Sequence, residues 1–174
     1  MKMYKRISGL IKNIFQNHFE LAVAISAVLI ILMALAMDKF LYLQACPLCV
    51  LTRYVFGLIG VSALIGIFIK KRIVGGFLII MSSMVGLFVT SRQIYIQNMS
   101  VEEIAQLSGC GMPFHTQVEY FGLIEAINRT LAGGPSCAED GWRFIFNFAE
   151  WGFLFFAIYL ITSTYKYIKI DNTH

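Results

Sequence analysis

Residues 46–72 read CPLCVLTRYVFGLIGVSALIGIFIKKR, and the parsing of that line decides the fold. After two cysteines comes an apolar run, Val50–Ile69, which carries one charge, Arg53, and ends on Lys70, Lys71 and Arg72. As a helix rising about 1.5 Å per residue, it is long enough to cross a hydrocarbon layer of roughly 30 Å. Outward from it, Ile73–Thr90 is a second apolar run that follows at once, so the two predict a tight helical hairpin. Upstream, Phe19–Met37 is apolar apart from Glu20 and stops at Asp38 and Lys39. Downstream, Phe148–Thr164 is rich in aromatics and closes on Tyr165, Lys166 and Lys169. The expectation is an all-α membrane protein. Residues 1–174 form one integral-membrane domain with spans near 19–37, 50–69, 73–90 and 148–165, packed as a four-helix transmembrane bundle.

Composition excludes the alternatives. The chain is 58% hydrophobic and 14% charged, with a mean hydropathy of +0.71. That is too little charge to coat a soluble domain of this length. The net charge of +4 sits in short clusters beside apolar runs, not along one helix face, which argues against a nucleic-acid partner. Lys2, Lys5, Arg6 and Lys12, then Lys70–Arg72, then Lys166 and Lys169 all fall on one side of a four-span chain. The positive-inside rule makes that side cytoplasmic, with both termini there and the loops near 38–49 and 91–147 outside. The long loop is net acidic, with Glu102, Glu103, Glu119, Glu125, Glu139 and Asp140 against Arg92, Arg129 and Arg143. Ala34-Leu35-Ala36 resembles a signal cleavage site, but the preceding apolar stretch exceeds a signal core of about 7–15 residues, so an uncleaved helix is expected.

On this topology all four cysteines, Cys46, Cys49, Cys110 and Cys137, lie on the outer side, where disulfides persist. Three pairings are open. Cys46-Pro47-Leu48-Cys49 turns directly into a membrane helix, whose N-terminus favours a reactive thiolate. Arg53 follows Cys49 by one helical turn on the same face, and a lone arginine at the edge of a span is costly unless used. It serves the Cys49 thiolate or a nearby electron acceptor, or it snorkels to the headgroups. Gly57 and Gly60 continue that face, leaving room beside the helix or allowing close helix packing. A zinc site would need Cys110, Cys137 or His115 to complete it, at spacings that do not suit one, and haem attachment needs a histidine where Val50 stands. No metal is expected. The second cysteine pair is equally readable as redox-active or as a static staple worth about 3 kcal/mol. Between its members, Thr116–Thr130 predicts a short amphipathic periplasmic helix, with Val118, Phe121, Leu123, Ile124 and Ile127 on one apolar face lying on the bilayer. Gly133-Gly134-Pro135 ends it ahead of Cys137.

Taken in order along nearly the whole chain, these residues resemble the disulfide bond formation protein B (DsbB) family. The matching stretches are Cys46-Pro47-Leu48-Cys49 with Arg53, Ser91-Arg92-Gln93-Ile94-Tyr95-Ile96-Gln97, Cys110-Gly111, and Cys137-Ala138-Glu139 with Trp142 and Phe144. The resemblance implies a bacterial inner-membrane thiol:quinone oxidoreductase serving periplasmic protein folding. In that scheme a reduced DsbA-type thiol oxidase attacks the Cys110–Cys137 disulfide at Cys110. Cys137 then attacks Cys46, and Cys49 leaves as a thiolate that donates to ubiquinone or menaquinone beside Arg53. Arg92 and Gln97 are the further quinone-side candidates, in a segment where some relatives carry a histidine and this chain has none. Reduced partners of that type are weak reductants, near about −120 mV, so a quinone-level acceptor is required. Two other readings remain: a vitamin K epoxide reductase-like enzyme, whose second pair generally sits in its first large loop, and a non-enzymatic scaffold with structural disulfides.

Overall fold

The computed structural model describes residues 18–42, 45–69, 72–107, 112–138 and 145–171, and its long helices run past the ends of the apolar stretches. Helix α1 (Phe19–Leu41) carries Asp38 and Lys39 as helical residues and stops at Tyr42, left-handed at φ 51°, whose N–H reaches the Asp38 carbonyl. Helix α2 (Pro47–Phe68) starts where its chemistry predicts. Pro47 occupies the first turn and Cys46 is the N-cap, its sulfur accepting the Cys49 N–H at 3.2 Å. Helix α3 (Arg72–Gln97) continues about two turns beyond Thr90, lifting Arg92, Gln93 and Gln97 onto the same rod. Three short helices then precede α7, namely α4 (Val101–Ala105), α5 (Phe114–Phe121) and α6 (Leu123–Ala132); α7 is Pro135–Ala138 and α8 is Phe148–Asp171. The protein is all-α, with no β-strand among the described residues. Four helices are long and apolar enough to cross a membrane: Phe19–Phe40, Pro47–Phe68, Ile73–Gln97 and Phe148–Ile168.

Helix α2 packs on α1 and α3, and α3 packs on α8. Lipid is as apolar as leucine, so helices associate through close fit and hydrogen bonds rather than through the hydrophobic effect. The fit is visible where small residues meet. A Cβ on Gly75 would lie 2.5 Å from the Gly66 Cα, and one on Gly86 would strike the Phe156 ring. Phe156 is fully buried there and stacks on Phe56 with ring centroids 4.2 Å apart. Val23, Ala27, Val55, Ile59 and Ile79 complete this core. Polar bonds join α8 to α1: Ser26 and Tyr159 hydroxyls are 2.8 Å apart, and Lys166 Nζ donates to Glu20 Oε1 at 3.1 Å. Tyr167 donates to the same oxygen at 3.0 Å. Both charges of the Glu20–Lys166 pair are buried, so Lys166 carries its own counter-ion as well as its place in the basic tail.

One expectation needs correcting. The single amphipathic helix over Thr116–Thr130 is two helices, α5 and α6, divided at Gly122 with φ +79°. The Gly122 N–H closes α5 on the Val118 carbonyl, while its own carbonyl accepts the Ala126 N–H and opens α6. Only glycine takes that backbone angle without strain. Phe114, Gln117, Ala126 and Thr130 are buried against the protein, and Phe121, Leu123 and Ile124 of the apolar face are exposed. The periodicity was real across Gly122, but it does not describe one rod.

Candidate active site: three sulfurs at one end of the bundle

A second cluster of buried residues caps the bundle at the end away from Glu20 and Lys166, formed by Cys46, Leu48, Val89, Ile96 and Cys137. Its location follows from local structure. Capping α2 puts Cys46 at the helix mouth, and the i to i+3 spacing turns Cys49 back beneath it, with the two Sγ atoms 2.6 Å apart. Leu48, between them, is fully buried and holds the turn against the bundle. Cys137 arrives from the long loop on α7, whose first turn is closed by the Cys137 N–H on the Gly134 carbonyl at 2.9 Å. It is 2% exposed and hydrogen-bonds Cys46. Cys110, Trp142 and Phe144 lie outside the described residues.

The three sulfurs do not share charge equally. As a thiol, Cys46 is held well above its ordinary ionisation range by its hydrogen bonds to Cys137 and Cys49, and by burial. The Cys46 contact acts the other way on Cys137, pulling that thiol down to about 6 against its burial, with help from backbone hydrogen bonds at Leu48 and Gly134. A protonated Cys46 beside an ionised Cys137 is the consequence. With all three sulfurs reduced, Cys137 is therefore the one that ionises near neutral pH, in contact with one member of the CxxC pair.

Gln93 reaches this cluster from α3. Its Nε2 donates to Cys49 Sγ at 3.0 Å and lies 3.7 Å from Cys46 Sγ, and the side chain is 2% exposed. Sequence reasoning passed over it between Arg92 and Gln97, because the expected span ended at Thr90 and α3 continues to Gln97. Those two neighbours are committed elsewhere. Arg92 donates through Nε to the Leu131 carbonyl at 3.0 Å and through Nη2 to the Ala132 carbonyl at 3.1 Å, capping the end of α6. Gln97 accepts from Asn147 Nδ2 at 3.0 Å, at the start of α8.

Arg53 has a partner that the sequence had marked only as a helix stop. Its Nη1 and Nη2 donate to the two carboxylate oxygens of Asp38 at 2.5 and 2.8 Å, a bidentate fork across α1 and α2. The two opposite charges flank one short loop, at the adjoining ends of antiparallel helices. Below Arg53 the α2 face is open at Gly57. A Cβ on Gly57 would meet nothing within 4 Å, and one on Gly60 would meet only the Ala27 Cβ at 3.8 Å. Gly60 therefore lies buried against α1, while the tightest helix approach is made by Gly66 and Gly75.

Comparison with known proteins agrees with this arrangement. Residues 16–165 match the family model described as Disulfide bond formation protein DsbB. A disulfide bond formation protein B of a Polaromonas species (strain JS666) is 32% identical over 144 residues, covering 80% of this chain and 83% of the relative. Disulfide bond formation protein B 1 of Pseudomonas aeruginosa is 28% identical over 141 residues, covering 78% and 85%. With four apolar spanning helices, a CxxC at the mouth of one of them and a third cysteine against it, the chain belongs to the disulfide bond formation protein B family, multi-pass membrane proteins with a disulfide-forming redox role.

Proposed function

We propose that this protein is a thiol:quinone oxidoreductase of the bacterial inner membrane that reoxidises a periplasmic DsbA-type dithiol. The observation that carries the reading is the buried contact of Cys137 with Cys46 of the Cys46–Cys49 pair. The partner's thiolate attacks Cys110 of a Cys110–Cys137 disulfide, which frees Cys137 as a thiolate. Cys137 then attacks the Cys46 sulfur: the Cys46–Cys137 bond forms, the Cys46–Cys49 bond breaks, and the electron pair leaves on Cys49. Completion of the exchange by the partner's second thiol leaves this chain two electrons richer. The basic clusters at both ends of the chain and between the middle spans support cytoplasmic termini and periplasmic cysteines.

The acceptor fits the face beneath Cys49. Arg53 supplies a fixed positive charge there and Gly57 an open, flat stretch of helix, so these are the residues that would hold a ubiquinone or menaquinone head. A bound quinone takes up two electrons and two protons. Asp38 keeps the guanidinium in one orientation, so its N–H edge need not reorganise as negative charge develops beside it.

The test uses purified protein with reduced partner and a water-soluble quinone, following quinone absorbance. Cys49→Ser abolishes quinone reduction while the protein stays membrane-inserted. Turnover at the wild-type rate in that variant rejects the assignment.

A further inference from the structure

We propose that Gln93 determines which sulfur leaves: its side-chain N–H stabilises Cys49 as the departing thiolate when Cys46 is attacked. The inference rests on the disulfide exchange described above, and it gives Gln93 a role at the reacting atoms. Three observations carry it. The amide nitrogen sits 3.0 Å from Cys49 Sγ and 3.7 Å from Cys46 Sγ, so it donates to both sulfurs and more closely to Cys49. The side chain is 2% exposed, where water does not compete for the bond. Finally, Arg53 directs Nη1 and Nη2 at Asp38, so the side-chain N–H bonded to Cys49 comes from Gln93.

The chemistry follows from leaving-group ability. In thiol–disulfide exchange, the sulfur whose thiolate is better stabilised departs faster. As Cys137 attacks Cys46, negative charge appears on Cys49 Sγ. A hydrogen bond to an ionised group strengthens as that charge grows. A neutral amide suits the position better than a second cation would. It needs no counter-ion inside the bundle, and it leaves the Cys49 thiolate nucleophilic enough to pass its electrons onward or to reclose the pair. Cys46 receives the same N–H only at the longer 3.7 Å.

The experiment uses full-length protein carrying Cys110→Ala, so that Cys137 is a free thiol able to exchange with the Cys46–Cys49 disulfide. After acid quench and alkylation, peptide mapping gives the ratio of the Cys46–Cys137 to the Cys46–Cys49 disulfide. Adding Gln93→Met, close in size but without an N–H, lowers that ratio by about tenfold, the loss expected for a hydrogen bond to a charged group. Gln93→Glu lowers it further, because a carboxylate faces the thiolate. If Gln93→Met does not accumulate as folded protein, Gln93→Glu decides alone. A ratio within about twofold of the control in the folded variants overturns the role of Gln93 and leaves the exchange itself standing. Absence of the Cys46–Cys137 disulfide from the Cys110→Ala control sinks the exchange, and this inference with it.

Discussion

At one end of the bundle Glu20, Lys166 and Tyr167 bond to one another; at the other, Gln93 and Cys137 are directed at the sulfurs of Cys46 and Cys49. Both sets are buried, and both join helices distant in sequence. Glu20 meets a cation and a hydroxyl of fixed charge state, so that end has one stable arrangement, with Lys166 also resting over the Phe19 ring at 4.4 Å. At the cysteine end the acceptors are sulfurs whose charge depends on which pair is bonded, so the same kind of burial sets up a group of states close in energy. A buried polar cluster acts as a clamp when its members cannot change charge, and as a relay when they can.

The largest expected effect breaks the clamp and leaves the relay alone. Glu20→Ala leaves a buried ammonium short of its carboxylate and costs about 3–5 kcal/mol. Lys166→Met in the same chain restores most of that loss, as read by thermal unfolding in micelles. Exchange at the cysteines in the surviving folded fraction is unchanged. A Glu20→Ala protein as stable as wild type would place the pair among the ornamental ones.

A middle-sized effect acts on the relay. In fully reduced protein, Cys137 alkylation by a small reagent titrates with a midpoint of about 6. Cys46→Ala removes the largest cause of that depression, so the midpoint moves up toward the ordinary thiol range and reactivity at neutral pH falls. The sign also bears on stability. The folded thiol ionises more readily than the unfolded one, so its contribution is complete above the unfolded thiol pKa and is lost as pH falls through about 6. An unmoved midpoint in Cys46→Ala would assign the depression to the α7 backbone instead.

The smallest effect concerns the fork between α1 and α2. Asp38→Asn keeps the shape but removes the charge, and each group of the pair retains about a fifth of its exposure to solvent. The expected loss is a few-fold in kcat/KM for quinone, on the order of 1 kcal/mol, with partner oxidation by the Cys110–Cys137 disulfide intact. A loss confined to stability would make the fork a second clamp, erasing the contrast between the two ends at this residue.

How much could be read in advance differs from residue to residue. The hydropathy runs and the basic clusters beside them announced four spanning helices, since lipid imposes a length and an apolar composition that few other folds share. Cys46 and Cys49 were legible for a local reason, because their spacing and Pro47 define a helix start whatever surrounds it. Gln93 was not legible: its meaning depends on α3 continuing past Thr90 and on the angle at which α3 lies against α2. Gly122 was misread because a glycine within a periodic pattern reads as a tolerated helix residue until its φ is known.

The chain's own order of residues therefore determined the class of solvent, the number of spans and the identity of the reactive cysteine types, each through composition or a period shorter than two turns. Tertiary structure alone decided that Cys137 meets Cys46, that Gln93 rather than Arg53 touches Cys49, and that Asp38 holds Arg53. Those contacts join residues on different helices. Their geometry depends on how Gly66 and Gly75, and Gly86 and Phe156, let the rods approach, which no local pattern encodes.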